Sequence, residues 1–255
     1  MARLERLRTY PVKGLDGVDV DTAAVRASGT LSGDREFALL DADGDPLNGK
    51  RTASVHELTT TFDPESERLT VDPSAGEAVE FALPADRGRA SAWFSDFFGT
   101  EFTLERNDER GFVDRPGMGP SVVSTATLKA IASWFDSLTV GSVRRRLRAN
   151  VEVSGVPAFW EDRFVGADAP DFAIGGVRFE GITPCGRCVV PSRDPDTGEA
   201  LEGFREEFIG KRRDTFPEFA DPEAFDHYFA VMILARVPAA SDRPTFDVGD
   251  RVELR

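Results

Sequence analysis

Between Glu57 and Asp72 the chain reads ELTTTFDPESERLTVD. Two short runs of strand-forming residues flank a turn of Asp, Pro, Glu and Ser, which predicts strand–turn–strand. EFALLDADGDPL (Glu36 to Leu47) repeats the arrangement. EFTLER, ANVEVSG, DFAIGGVRFEGI, HYFAVMILARV and DVGDRVEL supply further short strands. Helical segments are few. ASAWFSDFFG (Ala90 to Gly99) ends on a glycine, and STATLKAIASWFDSL places Leu128, Ile131, Trp134 and Phe135 at helical spacing behind Ser124 or Thr125 as cap. EGFREEFIG (Glu202 to Gly210) is the third. Many short strands with few helices predict a mainly β fold of barrel or sandwich type.

The polar, Gly- and Pro-rich stretch NDERGFVDRPGMGP (Asn107 to Pro120) is the natural boundary, dividing the chain into residues 1–106 and 107–255. A length of 255 residues allows one large domain or two small ones without staples. No apolar run reaches transmembrane length and the start, MARLERLRTYPVKG, has no secretory apolar region, so a cytoplasmic, non-membrane protein is expected. The net charge is −14, with lysine only at 13, 50, 129 and 211. Such a surface disfavours nucleic acid and anionic membranes and suits a halophilic source.

The only cysteines are Cys185 and Cys188, in GITPCGRCVVPSRDPDTGEA. With His56 and His227 they exhaust the usual zinc donors, and a second pair at finger spacing is missing. Two buried structural thiols, a redox pair and a metal-binding thiolate all stay open on this pattern. Arg187 between the thiols favours thiolate, the form that binds soft metals. A second feature is VRRRLRANVEV. Read as an extended segment, it sets Arg146, Arg148 and Asn150 on one face as an anion site. Lys13, in RTYPVKGLDGV, lies in a tight loop. The acids Glu161 and Asp162, in AFWEDRF, read as a cap or turn, or as partners that orient the arginines.

Together these pieces resemble the MOSC family. YPVKG resembles the opening of the MOSC N-terminal β-barrel domain; RLRANVEVSG, FWEDRF, PCGRCVVPSRDPDTGE and DVGDRVEL resemble the MOSC domain. The layout is similar to that of the amidoxime-reducing molybdenum enzymes. The resemblance implies a molybdenum cofactor of molybdopterin type with Cys188 as metal ligand and catalytic residue. It implies cofactor contacts from Lys13, Arg35, Arg148, Asn150 and Arg187. It also implies reduction of small N-oxygenated compounds with electrons from a separate ferredoxin- or cytochrome-like protein, since the four cysteines of an iron–sulfur domain are missing. The pyridoxal-phosphate domain of the sulfurase is not expected either. A sulfur-carrier or cofactor-transfer protein with a persulfide on Cys188 is the alternative, and an inert barrel the third reading. Two positions depart from the family pattern. Ala149 stands where proline is frequent, and Pro191-Ser192-Arg193-Asp194-Pro195 replaces a Thr-Thr-Val-Asp-Pro run, so the loop is expected to shape a different substrate pocket.

Overall fold

The computed structural model describes residues 1–50, 52–83, 85–115, 117–238 and 243–255. The strands of the first part are β1 (Arg3–Thr9), β2 (Val12–Lys13), β3 (Val18–Val20), β4 (Thr22–Ala24), β5 (Phe37–Leu40), β6 (Leu58–Asp63), β7 (Arg68–Pro73), β8 (Val79–Ala82) and β9 (Thr103–Arg106), with helix α1 (Arg87–Phe98) before β9. Then follow β10 (Ser121–Ser124), α2 (Thr125–Ala132), α3 (Val140–Leu147), β11 (Val151–Ser154), β12 (Phe172–Ile174), β13 (Val177–Gly186), α4 (Phe204–Asp214), β14 (Ala230–Arg236), β15 (Thr245–Asp247) and β16 (Val252–Leu254).

Eight strands form one sheet in the order β16-β12-β13-β14-β10-β11-β1-β3, antiparallel except for β10 with β11. The sheet curls until β16 reaches the start of β1. Leu4 N–H donates to the Asp250 carbonyl at 2.8 Å and Val252 N–H to the Ala2 carbonyl at 3.1 Å. This contact shortens the exposed edge at that end of the sheet. Inside the curl lie Leu7, Val122, Val151, Phe164, Phe172, Phe179, Ile233 and Phe246, all buried. Alternation along β10 sends Val122 inward and Val123 outward, where α2, α3 and α4 cover it with Leu128, Val143, Leu147, Phe204 and Phe208. A third core, built on Val12, Phe37, Leu39, Phe81, Phe94 and Leu104, fills the space between the sheets β2-β5-β9 and β6-β7-β8 and helix α1.

The sequence expectations hold for the β6–β7 hairpin, for α1 with Gly99 as its left-handed cap, and for α2, where the Ser124 hydroxyl accepts from Thr127 N–H at 3.0 Å. EFALLDADGDPL forms one strand, and its second half contributes only the bridge Leu40–Pro46. The extended reading of VRRRLRANVEV is corrected. Thr139 caps a helix that runs to Leu147, Arg148 turns left-handed at φ 59°, and the strand begins at Val151. Arg and Leu are good helix formers, and three arginines in the last turn suit the helix's negative end.

Candidate functional site

The cysteine segment leaves the end of β13, and a bulge sets its aim. Pro184 pairs with Ile233 and Gly186 with Ala230, so β14 carries one extra residue opposite Cys185. Met232, within that bulge, sits at φ 61°, which is strained for a non-glycine residue. Beyond the bulge the two thiols separate in role. Cys185 packs against the helix-side core and accepts a hydrogen bond from Arg187 Nη1 at 3.2 Å. Cys188 is half-buried, belongs to none of the three cores and makes no hydrogen bond among the described residues.

Arg187 ties this loop to the arginine segment. Its Nη2 donates to the Leu147 carbonyl at 3.1 Å, and its backbone N–H to Phe229 O at 2.8 Å. Its Nε is buried without a partner. The next residue after Leu147 is Arg148. The left-handed turn swings its guanidinium over the Tyr10 ring, 4.1 Å from the centroid, with Nη2 donating to Leu15 O at 2.6 Å. No carboxylate pairs with Arg148 among the described residues. Burial, and Arg35 after it, hold its pKa below the ordinary arginine value. Arg35, at φ 49°, reaches the same ring at 5.2 Å and pairs with Asp34. Lys13 Nζ meets Asp114 Oδ1 at 2.6 Å; the lysine is mostly covered and the aspartate is exposed.

Asn150 is placed differently. Its Nδ2 donates to Arg8 O at 3.0 Å and Asp34 Oδ1 at 3.1 Å, and its Oδ1 accepts from Ser121 N–H and Oγ. It therefore cross-links β1, β10 and β11 to the Asp34–Arg35 turn, with both side-chain atoms in use. Of the six expected residues, Arg187 reaches the Leu147 carbonyl next to Arg148, Arg148 and Arg35 meet at Tyr10, Lys13 pairs with Asp114, Asn150 holds the frame, and Cys188 is tied to them only by following Arg187 in the chain. Sequence reading missed Tyr10 and Asp34, although each lies close to a chosen residue (Lys13 for the tyrosine, Arg35 for the aspartate). His56, named there only as a zinc donor, packs on Gly198 of the DPDTG loop.

Among the described residues no three His, Cys, Asp or Glu gather as a metal group, so the zinc alternative finds no ligand set. A soft-metal cofactor bringing its own sulfur donors needs only one protein thiolate, and it brings negative charge. The unbonded thiol of Cys188, the orphaned Arg187 Nε and the acid-free guanidinium of Arg148 fit such a group. Glu161 and Asp162 serve elsewhere: they occupy a 3-10 turn, Trp160–Phe164, and Asp162 pairs with Arg212 of α4 rather than with the arginines near residue 146.

Known proteins share this layout. The chain is 26% identical over 250 residues to mitochondrial amidoxime reducing component 2 of Bos taurus, covering 79% of this chain and 72% of that protein. The human protein of that name is 26% identical over 235 residues, covering 76% and 67%. Molybdenum cofactor sulfurase of Bos taurus is 22% identical over 245 residues, covering 77% of this chain but only 27% of the sulfurase. The crystal structure of the YUAD protein from Bacillus subtilis aligns over 99% of this chain and 94% of its own, at 15% identity and a TM-score of 0.38. No helix among the described residues is long and apolar enough to cross a membrane. Residues 1–139 match the MOSC N-terminal beta barrel domain and residues 120–252 the MOSC domain, so this chain belongs to the MOSC family.

Proposed function

We propose that the protein binds a molybdopterin-type cofactor and reduces small N-oxygenated compounds with electrons from a separate redox protein. The observation that carries this is Arg148, a half-buried guanidinium with no carboxylate paired to it among the described residues, one residue from the carbonyl that Arg187 holds. A cation partly withdrawn from water without an opposite charge is costly, and an anionic ligand offsets the cost. In this reading residues 1–106 bring Lys13 and Arg35, and residues 107–255 bring Arg148, Asn150, Arg187 and Cys188.

When bound, the cofactor supplies two-electron exchange of an oxygen atom with the substrate. Cys188 ligates the metal as thiolate. Lys13, Arg35 and Arg148 neutralise the cofactor's negative charge, and Tyr10 fixes where two of those charges stand. Arg187 and Asn150 act through what they hold, namely the Cys185–Leu147 contact and the Arg8–Asp34–Ser121 frame. Overall, an N–OH group, two electrons and two protons give an N–H group and water. A ferredoxin- or cytochrome-like protein is the electron source.

The test is molybdenum and pterin content of wild type and Cys188→Ala from a host that makes the cofactor, followed by reduction of an aryl amidoxime with an artificial one-electron donor. Near-equal metal and pterin in wild type, metal lost in the variant, and amidoxime turnover by wild type alone are expected. Full turnover by Cys188→Ala overturns the reading. A persulfide on Cys188 in metal-free, folded protein transfers it to sulfur carriage, for which the sulfurase resemblance speaks.

A further inference from the structure

We infer that the outer face of the curled sheet carries a second anion site, separate from the cysteine constellation and fitted to a small soluble phosphate-bearing molecule. A cavity of about 380 Å³ opens between β1 and the first turn of α3, at the lower end of small-ligand pockets. Its walls include Arg6 and Arg8 from β1 and Arg144 and Arg145 from α3. None of Lys13, Arg35, Arg148, Asn150, Arg187 or Cys188 lines it.

Four guanidinium groups here face three carboxylates. Arg6 and Arg8 share Asp19, at 2.7 and 2.9 Å; Arg144 pairs with Glu152 at 2.6 Å and Arg145 with Asp196 at 2.7 Å. One positive charge is left over, in a protein of net charge −14. The global field repels anions, so a cationic cavity against it binds only what approaches closely. Donors remain as well: Arg6 Nη1 and Arg144 Nη1 make no hydrogen bond to protein among the described residues. Gly141 and Ser142, from the first turn of α3, add the positive end of that helix to the wall. Asp196 is the one acid in the wall and is engaged by Arg145. Planar forks with free N–H groups recognise the paired oxygens of phosphate in particular. The site does not depend on whether the molybdenum reading is right.

The test is calorimetric titration of the purified chain with inorganic pyrophosphate at fixed ionic strength. Wild type is expected to show a saturable site that weakens by about tenfold or more in the double variant R6Q/R145Q. Arg148→Gln is expected to keep the site that R6Q/R145Q weakens. Both substituted arginines are partly exposed and their carboxylates reach solvent, and the single variant Arg145→Gln serves should the double fail to fold. No saturable binding in folded wild type overturns the proposal. So does binding that Arg148→Gln removes and R6Q/R145Q keeps, because the anion then occupies the cysteine constellation.

Discussion

At the turn Trp160–Phe164, Glu161, Asp162 and Arg212 are all buried to 1% exposure or less. Around Tyr10, two arginines share one ring, and only Arg35 is paired with a carboxylate, that of Asp34. Both regions take charge out of water, but they balance it differently. Arg212 is matched by Asp162, donates to Ala230 O at 3.3 Å, and is caged by the rings of Phe159, Phe216 and Phe225. Arg212 and Asp162 answer one another within the chain, so the pair works as a tie between α4, β14 and the turn, although Glu161 Oε1, Asp162 Oδ1 and Arg212 Nη1 are buried without a hydrogen-bond partner among the described residues. Around Tyr10, Arg35 has its carboxylate in Asp34 and Arg148 has none in ion-pair contact among the described residues, and in the proposed reading a ligand supplies that negative charge. A buried charge cluster marks a binding site only when its own chain leaves it out of balance.

The largest effect tests the unbalanced side. Cys188→Ala is expected to lower molybdenum content to background while the far-ultraviolet circular dichroism stays that of wild type, because Cys188 supports no core. Cys185→Ala, which opens a gap against the helix-side core, is expected to cost stability before it costs metal. Equal metal loss in both erases the division of roles between the thiols.

The next effect sets the two regions directly against each other. Arg212→Met strands Asp162 in an apolar cage and is expected to cost about 3–5 kcal/mol in urea denaturation. Arg148→Met strands no carboxylate and is expected to change the stability of cofactor-free protein by less than about 1 kcal/mol, while cofactor retention falls. Similar losses in both variants break the comparison.

How far the sequence foretold these regions follows from range. The β6–β7 hairpin, α1 with Gly99 and α2 with Ser124 were legible because their determinants lie within a few residues. The cysteine pair was legible because its neighbours Arg187 and Asp194–Gly198 follow a family pattern. The helix α3 was not. Its apolar stripe, Val140, Val143 and Leu147, is thin and interrupted by Gly141, Ser142 and three arginines, so the arginines read as an alternating strand. The Arg212–Asp162 tie spans 50 residues and the Arg148–Tyr10 stack 138. No local rule predicts which arginine of a chain rich in them finds which acid or ring.

A smaller effect separates the closed region by pH. Burial, and then Asp162, pushes Glu161 up to about 7, and burial pushes Asp162 up to about 6 against the pull of Arg212. The folded chain thus keeps protons that the unfolded chain releases at ordinary carboxylate values. The stability tied to that protonation is present at low pH and is lost as pH rises from about 4.5 through 7. Glu161→Gln keeps the neutral form at every pH. Relative to wild type, it is expected to gain on the order of 2 kcal/mol between pH 5 and pH 8, read from urea midpoints. A parallel pH dependence in the two proteins shows that Glu161 is ionised in the fold throughout.

The smallest stability effect comes from the rim of the open region. Lys13 touches one acid, Asp114, which is 80% exposed, so the pair is well screened. Lys13→Met is expected to shift the unfolding free energy by about 0.5 kcal/mol or less. The same change removes one of the three cations proposed to meet the cofactor, and cofactor retention during gel filtration is expected to fall severalfold. The two readouts must part company for the comparison to stand. If Lys13 mattered only as a surface ion pair, Asp114→Asn would reproduce whatever Lys13→Met does. If instead Lys13 supplies charge to a ligand, Asp114→Asn frees the lysine from its competitor and retention rises. Opposite signs from the two partners of one ion pair are what an unbalanced site demands and what a structural tie does not allow.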